Sequence, residues 1–368
     1  MSIKAFAFSA QRRVAEQLGF SLQRSHVYEA LAAAFGFASY ASLCADSVFT
    51  LDLPSLGQTT QRVAEVARRL DQLGVPEVLG QRVASELASI VSEQGLRVVG
   101  IDQIIDSRSP EAVRFSVPVD IDGADLLDED EFDDSPLEGM EPDHQYWDIS
   151  DFLAAGLEDA AKRGNPKALY ALSLIHLPEE DRSVGSSYWY DRQMHGDQLS
   201  GVQLEWALAH RAELQREEAP RLRHLREAAR LGHPEACVDA AAEFDDPSFL
   251  RKIGGDEVRS PARVSEVAGE LGQIDLAKHW CAIAAEQGHM ESIRRMIEAF
   301  DRGDLVRCWT WLHFARLLGE DLTEDDYRLV NEDGSDYDDD VGGPGFAVGE
   351  DGITLPPLDA RQHADARR

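Results

Sequence analysis

The side chains best suited to chemistry in this chain are eleven histidines and four cysteines. The histidines are scattered, and Cys44, Cys237, Cys281 and Cys308 lie far apart with no C-x-x-C pair. His279 and Cys281 are two residues apart, so they point to different sides of a helix and make poor co-ligands. The pattern predicts reduced, buried thiols and no metal site.

Recognisable catalytic motifs are absent from the sequence. It contains no H-E-x-x-H, no G-x-S-x-G and no G-x-x-x-x-G-K-[ST]. The glycines between 342 and 349 lack the strand, helix and lysine that a phosphate-binding loop needs. We therefore predict a protein that is not an enzyme and needs no cofactor. A hydrolase with its site spread over several segments is the enzymatic alternative.

Aromatic side chains are the better candidates for binding. Tyr188, Trp189 and Tyr190 are consecutive. Three adjacent aromatic residues cannot all face one core, so one of them is available to anchor a bound peptide. Trp309 is a fourth candidate, because it lies off the register of a repeated pattern in this part of the chain.

That repeated pattern is a glycine that follows an alanine by four residues. It occurs in segments 156–172, 224–240 and 280–296, and with one departure in 311–327. Trp280 and Trp311 occupy the same place in the last two segments, eight residues before the glycine, which favours core packing for both. The repeat positions are Ala160 and Gly164, Ala228 and Gly232, Ala284 and Gly288, and Ala315 and Gly319.

This spacing predicts a pair of helices joined by a tight turn. The small alanine lets a neighbouring helix approach, and the glycine accepts the positive φ that ends a helix. Proline follows in the first turn of the next helix in two of the segments. The glycines are 68, 56 and 31 residues apart, which predicts degenerate units between 178 and 215 and before 280. One hairpin cannot bury its apolar face, but an array can, so we predict an α-solenoid.

The string LAKHWCAIAAEQGHMES (276–292) resembles the Sel-one-like repeat, a relative of the tetratricopeptide repeat. The resemblance covers roughly residues 148–328. It implies an α-solenoid that acts as a protein-binding adaptor in bacterial signalling or assembly, without catalysis.

Residues 1–46 read as a tri-helical unit. The pattern predicts helices from Ser9 to Leu18, from a cap at Ser21 to Gly36, and from a cap at Ser39. This stretch resembles the small bacterial glyoxalase-related domain, which implies no glyoxalase chemistry here. Four basic residues against three acidic ones give a net charge of +1, less than a DNA-reading unit usually carries. A DNA-binding regulator is nevertheless the second functional hypothesis.

The remaining segments are mixed or acidic. The pattern of residues 47–118 predicts helices and a minor β element. In that element we expect residues 113–121 to form a strand and Leu96 to Ile101 to pair with it. Residues 119–147 predict an acidic linker, and residues 331–368 an acidic, disordered tail. The helical repeats occupy 148–330.

The charge of the whole chain narrows its partners. Its 368 residues carry a formal net charge of -32, which argues against binding to nucleic acid or to an anionic membrane. The N-terminus lacks the pattern of a secretory signal, and no apolar stretch is long enough to span a bilayer. We therefore expect a cytoplasmic, mainly α protein that binds a protein or peptide, in particular one with basic patches.

Overall fold

The computed structural model describes residues 3–51, 63–108, 150–176, 186–254, 258–331, 337 and 345–366. Within these residues the chain is mainly helical, as predicted, with two small antiparallel sheets. It divides into two compact units, Met1–His233 and Pro234–Arg368. The predicted linker at 119–147 and the predicted strand at 113–121 lie outside the described residues.

The first unit contains ten helices and two strands within its described residues. They are α1 (Ile3–Leu18), α2 (Arg24–Ala34), α3 (Tyr40–Asp46), β1 (Ser47–Thr50), α4 (Val63–Gln72), α5 (Glu77–Glu93), β2 (Arg97–Gly100), α6 (Ile101–Arg108), α7 (Asp151–Lys162), α8 (Pro166–Ile175), α9 (Ser186–Met194) and α10 (Val202–Arg230).

Helices α1 to α3 share one hydrophobic core with α4, α5 and the small sheet. Phe6, Val14, Leu31 and Leu70 are fully buried in it. Residues 1–46 therefore do not form a core of their own. The ion pair between Arg13 of α1 and Glu86 of α5, at 2.8 Å, joins the same elements at the surface.

Two predicted helix starts in this region are wrong. Helix α1 begins at Ile3 rather than Ser9, because Ile3 and Phe6 extend its buried stripe. Helix α2 begins after Gln23 rather than after Ser21, because Leu22 turns into the core before the helix starts. The predicted Ser39 cap is confirmed, with the Ser39 hydroxyl accepting the backbone N–H of Ser42 at 3.0 Å.

The predicted minor β element is present, although the predicted partner of residues 96–101, the stretch 113–121, lies outside the described residues. Strand β2 falls within the predicted stretch of residues 96–101 and pairs antiparallel with β1. Strand β1 follows α3 directly and was not predicted. Its four residues are all buried, so it lacks the alternation that marks a strand with one exposed face.

The second unit contains six helices and two strands within its described residues, together with short 3₁₀ and π segments. They are α11 (Pro234–Phe244), a 3₁₀ turn (Leu250–Lys252), α12 (Pro261–Glu270), α13 (Ile274–Glu286), α14 (Met290–Arg295), a π turn (Met296–Phe300), α15 (Leu305–Leu317), β3 (Arg328–Val330), β4 (Phe346–Val348) and α16 (Ala360–Ala366). Helices α12 and α13 pack on one another, and α13, α14 and α15 follow in succession.

The prediction of a disordered tail is wrong for residues 345–366, which we call the C-terminal strap. Ile353 of the strap is buried, and its backbone N–H donates to the carbonyl of Leu322 at 2.8 Å. Strand β4 pairs with β3, and Arg294 binds the Glu350 carboxylate at 2.6 Å. The burial of Ile353 and the ion pair of Glu350 thus stabilise a segment whose acidic composition had predicted disorder.

Among the described residues, no helix combines the length and the apolar character needed to cross a membrane.

Candidate functional site

All four repeat glycines end a helix in the left-handed conformation, as the spacing predicts. Their φ values lie between +83° and +102°. The backbone N–H of the residue after each glycine donates to the carbonyl of the repeat alanine at 3.0 to 3.2 Å, so that one turn geometry recurs. Each of these alanines is at most 2% exposed. Gly272 makes the same turn between α12 and α13, and so do Gly36, Gly74, Gly95 and Gly196 at the ends of helices outside the repeat positions.

The residue after the glycine has a local packing or capping role in each full unit. Asn165 caps α8, and its amide also donates to the carbonyl of Ala45 at 2.7 Å. His289 caps α14 by accepting the backbone N–H of Ser292 at 3.2 Å. His233 is buried, with its ring centroid 4.6 Å from that of Tyr170. His289 therefore caps a helix, and His233 packs in the interior.

Two units depart from the predicted helix pair. After Gly319 no second helix forms, and residues 320–327 run as turns into β3. In the segment around Gly232, the first helix is part of α10, which continues without a break from Val202 to Arg230 and includes Pro220. It therefore joins the end of the predicted degenerate unit at 178–215 to the first helix of the 224–240 segment.

The predicted aromatic triplet lies on α9, which packs against α10. Tyr188 is 48% exposed, whereas Trp189 and Tyr190 are half-buried. The ring of Tyr190 lies 5.5 Å from His210 of α10, and that of Tyr188 lies 5.0 Å from Trp189. The three residues do not share one environment, in line with the argument from their spacing, and Tyr188 is the one that water reaches best.

Trp309 is covered by its own chain. Its indole Nε1 donates to the carbonyl of Pro356 in the strap at 2.9 Å, and its ring packs on the apolar core around α14 and α15. The strap therefore accepts the indole hydrogen bond of Trp309, the residue that the sequence predicted to bind a partner.

A cavity of about 400 Å³ opens between α13 and α15 instead. Trp311 and Phe314 supply its aromatic surface, with ring centroids 6.3 Å apart in an edge-to-face arrangement. Arg307 and Thr310 of α15 and Glu286 of α13 complete the lining. Trp311 and Phe314 are both half-buried, so their rings combine support by the core with an accessible face.

Trp311 and Trp280 occupy equivalent positions in successive segments but differ in burial. Trp280 is 3% exposed and belongs to the same buried core as Val264, Val267 and Ala268 of α12. Trp311 packs against the core around α14 and α15 but is only half-buried and lines the cavity, so the core prediction holds fully for Trp280 and in part for Trp311. The sequence shows that Trp280 and Trp311 share a repeat position. Their difference in burial depends on the side chains that surround each indole in the fold.

A buried carboxylate holds the wall of the cavity in place. Asp301, with a side chain only 2% exposed, binds Lys278 Nζ at 2.8 Å, Arg307 Nε at 3.1 Å and Trp311 Nε1 at 3.1 Å. Burial by itself raises the pKa of this carboxyl. The hydrogen bonds from Lys278 and Trp311, with the charge of Arg307, outweigh burial and lower the pKa below its ordinary value.

The two charged residues of the lining differ in their surroundings. Arg307 is paired with Asp301, whereas Glu286 is exposed and forms no ion pair with a described side chain. Glu286 is also the last residue of α13, where the helix dipole is negative and disfavours a carboxylate. The cavity therefore carries one anion that lacks a compensating partner among the described residues.

The thiols beneath this region are enclosed. Cys281 donates to the carbonyl of Ser292 at 3.4 Å and Cys308 to that of Asp301 at 3.1 Å. Burial raises the pKa of both thiols, which keeps them protonated and poor as nucleophiles. Within the described residues, no group of three or more His, Cys, Asp or Glu side chains is arranged to hold a metal.

The basic side chains between residues 1 and 46 contact other side chains of the compact unit Met1–His233. Each contacts an acidic side chain or an aromatic ring, as in Lys4–Asp159, Arg12–Glu16, Arg13–Glu86 and Arg24 over Phe8. These pairs partly offset the positive charge of residues 1–46.

The cavity has an aromatic surface, a wall that Asp301 fixes through Trp311, and the carboxylate of Glu286, which forms no ion pair with a described side chain. Such a cavity is suited to recognising a side chain of another molecule. Comparisons of the chain with protein-family models, with curated proteins and with solved structures find no match.

Proposed function

We propose that this chain is a non-enzymatic adaptor that binds a protein partner through helical repeats, with the cavity between α13 and α15 as its principal contact. The Sel-one-like repeat family and the α-solenoid arrangement are part of this proposal. The single observation that carries it is the accessible aromatic surface of Trp311 and Phe314 in that cavity.

The repeat geometry supports the proposal at the local level. Turns with a left-handed glycine and one hydrogen-bond pattern end α7, α10, α12, α13 and α15, and the same turn also ends α2, α4, α5 and α9. Proteins built from such units bind their ligands on the extended concave surface of the array. Helices α13 and α15 are the first helices of successive segments, and the cavity lies between them.

The chemistry of the cavity supports binding over catalysis. Trp and Phe are among the residues that dominate binding energy when a partner covers them. A large side chain that entered between Trp311 and Phe314 would remove apolar surface from water, at about 25 cal/mol for each Å² buried. The net charge of -32 favours a partner with basic patches and speeds its approach.

Photo-crosslinking in the cells that produce the protein tests the proposal. Phe314 is replaced by the photoreactive analogue p-benzoylphenylalanine, which keeps an aromatic ring at the cavity. The matched control carries the same analogue at Phe8, which is 53% exposed on α1. We expect discrete protein adducts from position 314 that are absent at position 8. Equal adduct patterns at the two positions would contradict a partner site at the cavity.

A further inference from the structure

We propose that the cavity between α13 and α15 recognises a partner segment in which a large apolar side chain stands next to a lysine or arginine. This inference rests on the proposed function and specifies its ligand. The apolar side chain lies against Trp311 and Phe314, and the neighbouring cation pairs with Glu286.

The size and the walls of the cavity fit one large side chain and the backbone beside it. Its volume is about 400 Å³. The Trp311 indole is fixed before binding, because its Nε1 donates to the buried Asp301 carboxylate. An aromatic surface that is already ordered loses little conformational entropy when a ligand covers it. The geometry therefore favours an apolar anchor residue.

The distribution of charge selects the residue beside the anchor. Arg307 already has a carboxylate partner in Asp301, so its attraction for an anionic ligand is reduced. Glu286 is exposed, forms no ion pair with a described side chain and sits at the negative end of the α13 dipole. A bound cation would compensate both the carboxylate and the helix end. An anion at the same place would be repelled.

The charge of the surrounding unit acts in the same direction. In Pro234–Arg368, thirty aspartates and glutamates outnumber fourteen lysines and arginines. Such an excess attracts cationic segments over distances of about a Debye length, roughly 8 to 10 Å at physiological ionic strength. Complementary charge of this kind sets partner choice more than total affinity.

A positional-scanning hexapeptide library on the immobilised full-length protein tests the inference. The wild type is compared with Glu286→Lys, with Thr310→Trp, which fills the cavity from an exposed position, and with the control Glu270→Lys. Glu270 is exposed on α12 and stands two residues before Gly272, as Glu286 stands two residues before Gly288. The control therefore makes the same charge change at the equivalent place of a neighbouring repeat. Thermal unfolding verifies that each variant is folded.

We expect the wild type to select aromatic or long aliphatic residues followed or preceded by Lys or Arg. Glu286→Lys should lower the enrichment of basic residues about tenfold and leave the apolar preference, while Thr310→Trp should remove the apolar preference. Glu270→Lys should behave as the wild type. An unchanged basic preference in Glu286→Lys would overturn the inference while leaving peptide binding intact. Failure of the wild type to select any peptide would overturn both the inference and the proposed peptide-binding site.

Discussion

The indole Nε1 of Trp311 donates a hydrogen bond of 3.1 Å to Oδ2 of Asp301, a carboxylate whose side chain is 2% exposed. The bond fixes the half-exposed Trp311 ring to the buried, charged carboxylate of Asp301. Asp301 in turn lies immediately after the π turn Met296–Phe300, which places it beneath α15. The position of the cavity wall therefore depends on a residue that no ligand would touch.

Replacing Asp301 with asparagine should destabilise the second unit. The amide keeps the shape of the carboxylate but loses the charge that binds Lys278 and Arg307. Removing one member of a buried ion pair costs about 3–5 kcal/mol, but these cations are 41% and 53% exposed, so water can solvate them. We expect a loss of about 1–2 kcal/mol.

Urea unfolding followed by circular dichroism measures this loss, with Glu266→Gln on the exposed face of α12 as the control. The same series at several pH values tests the ionisation of Asp301. Its lowered pKa means that its contribution is present above the ordinary carboxyl range and is lost as the pH falls through the folded pKa. The acid-induced loss should therefore be smaller in Asp301→Asn. Equal stability of this variant and the wild type at pH 7 would contradict the assignment.

Lowering the pH should weaken the first unit through His233. Burial lowers the pKa of this histidine to about 4, with Lys167 adding to the effect and Asp102 opposing it. Between about pH 4 and the ordinary 6.5, the unfolded chain binds the proton more readily than the folded chain. Stability therefore falls as the pH drops through this window, by roughly 3 kcal/mol in total.

Unfolding by urea between pH 4 and pH 7 measures that dependence. His233→Gln should reduce the slope, whereas His279→Gln, at an exposed position of α13, should leave it as in the wild type. A wild-type slope in His233→Gln would show that other groups cause the loss.

The sequence predicted those features that depend on neighbours along the chain. Gly164, Gly232, Gly288 and Gly319 end helices because a positive φ suits glycine, and this preference is local. The Ser39 cap is local for the same reason. Helical periodicity predicted helices within residues 47–118, where α4 and α5 lie with their apolar stripes on one core.

The features that the sequence did not predict depend on distant parts of the chain. Strand β1 requires β2, which begins at Arg97. The ordered strap requires Arg294 and Leu322 as partners for residues near its middle. Trp280 is buried in a core with residues of α12, whereas Trp311 lines a cavity, and one shared register cannot reveal this difference.

Two glycine-to-alanine changes on and after α7 should have opposite effects. Gly164→Ala places a side chain at φ +83° and should cost about 1–2 kcal/mol in backbone strain, although no atom lies within 4 Å of the added Cβ. Gly156→Ala, inside α7, places its Cβ at an ordinary 3.6 Å from Val48 and should gain up to about 1 kcal/mol in helix propensity. Urea unfolding measures both changes. The same sign for the two substitutions would contradict the role of Gly164 as a left-handed turn.

Gly352→Ala should release the C-terminal strap from the second unit. A Cβ at this glycine would overlap the carbonyl oxygen of Thr323, a backbone atom that cannot rotate away. The displacement should break the adjoining bond from Ile353 N–H to Leu322 and expose the Trp309 indole that now donates to Pro356. We expect faster proteolytic cleavage within residues 345–366 and a red shift in tryptophan emission. Gly303→Ala is the control, since no atom lies within 4 Å of its added Cβ and no positive φ is required there. Cleavage at the same rate in both variants would mean that the position of the strap does not depend on this close approach.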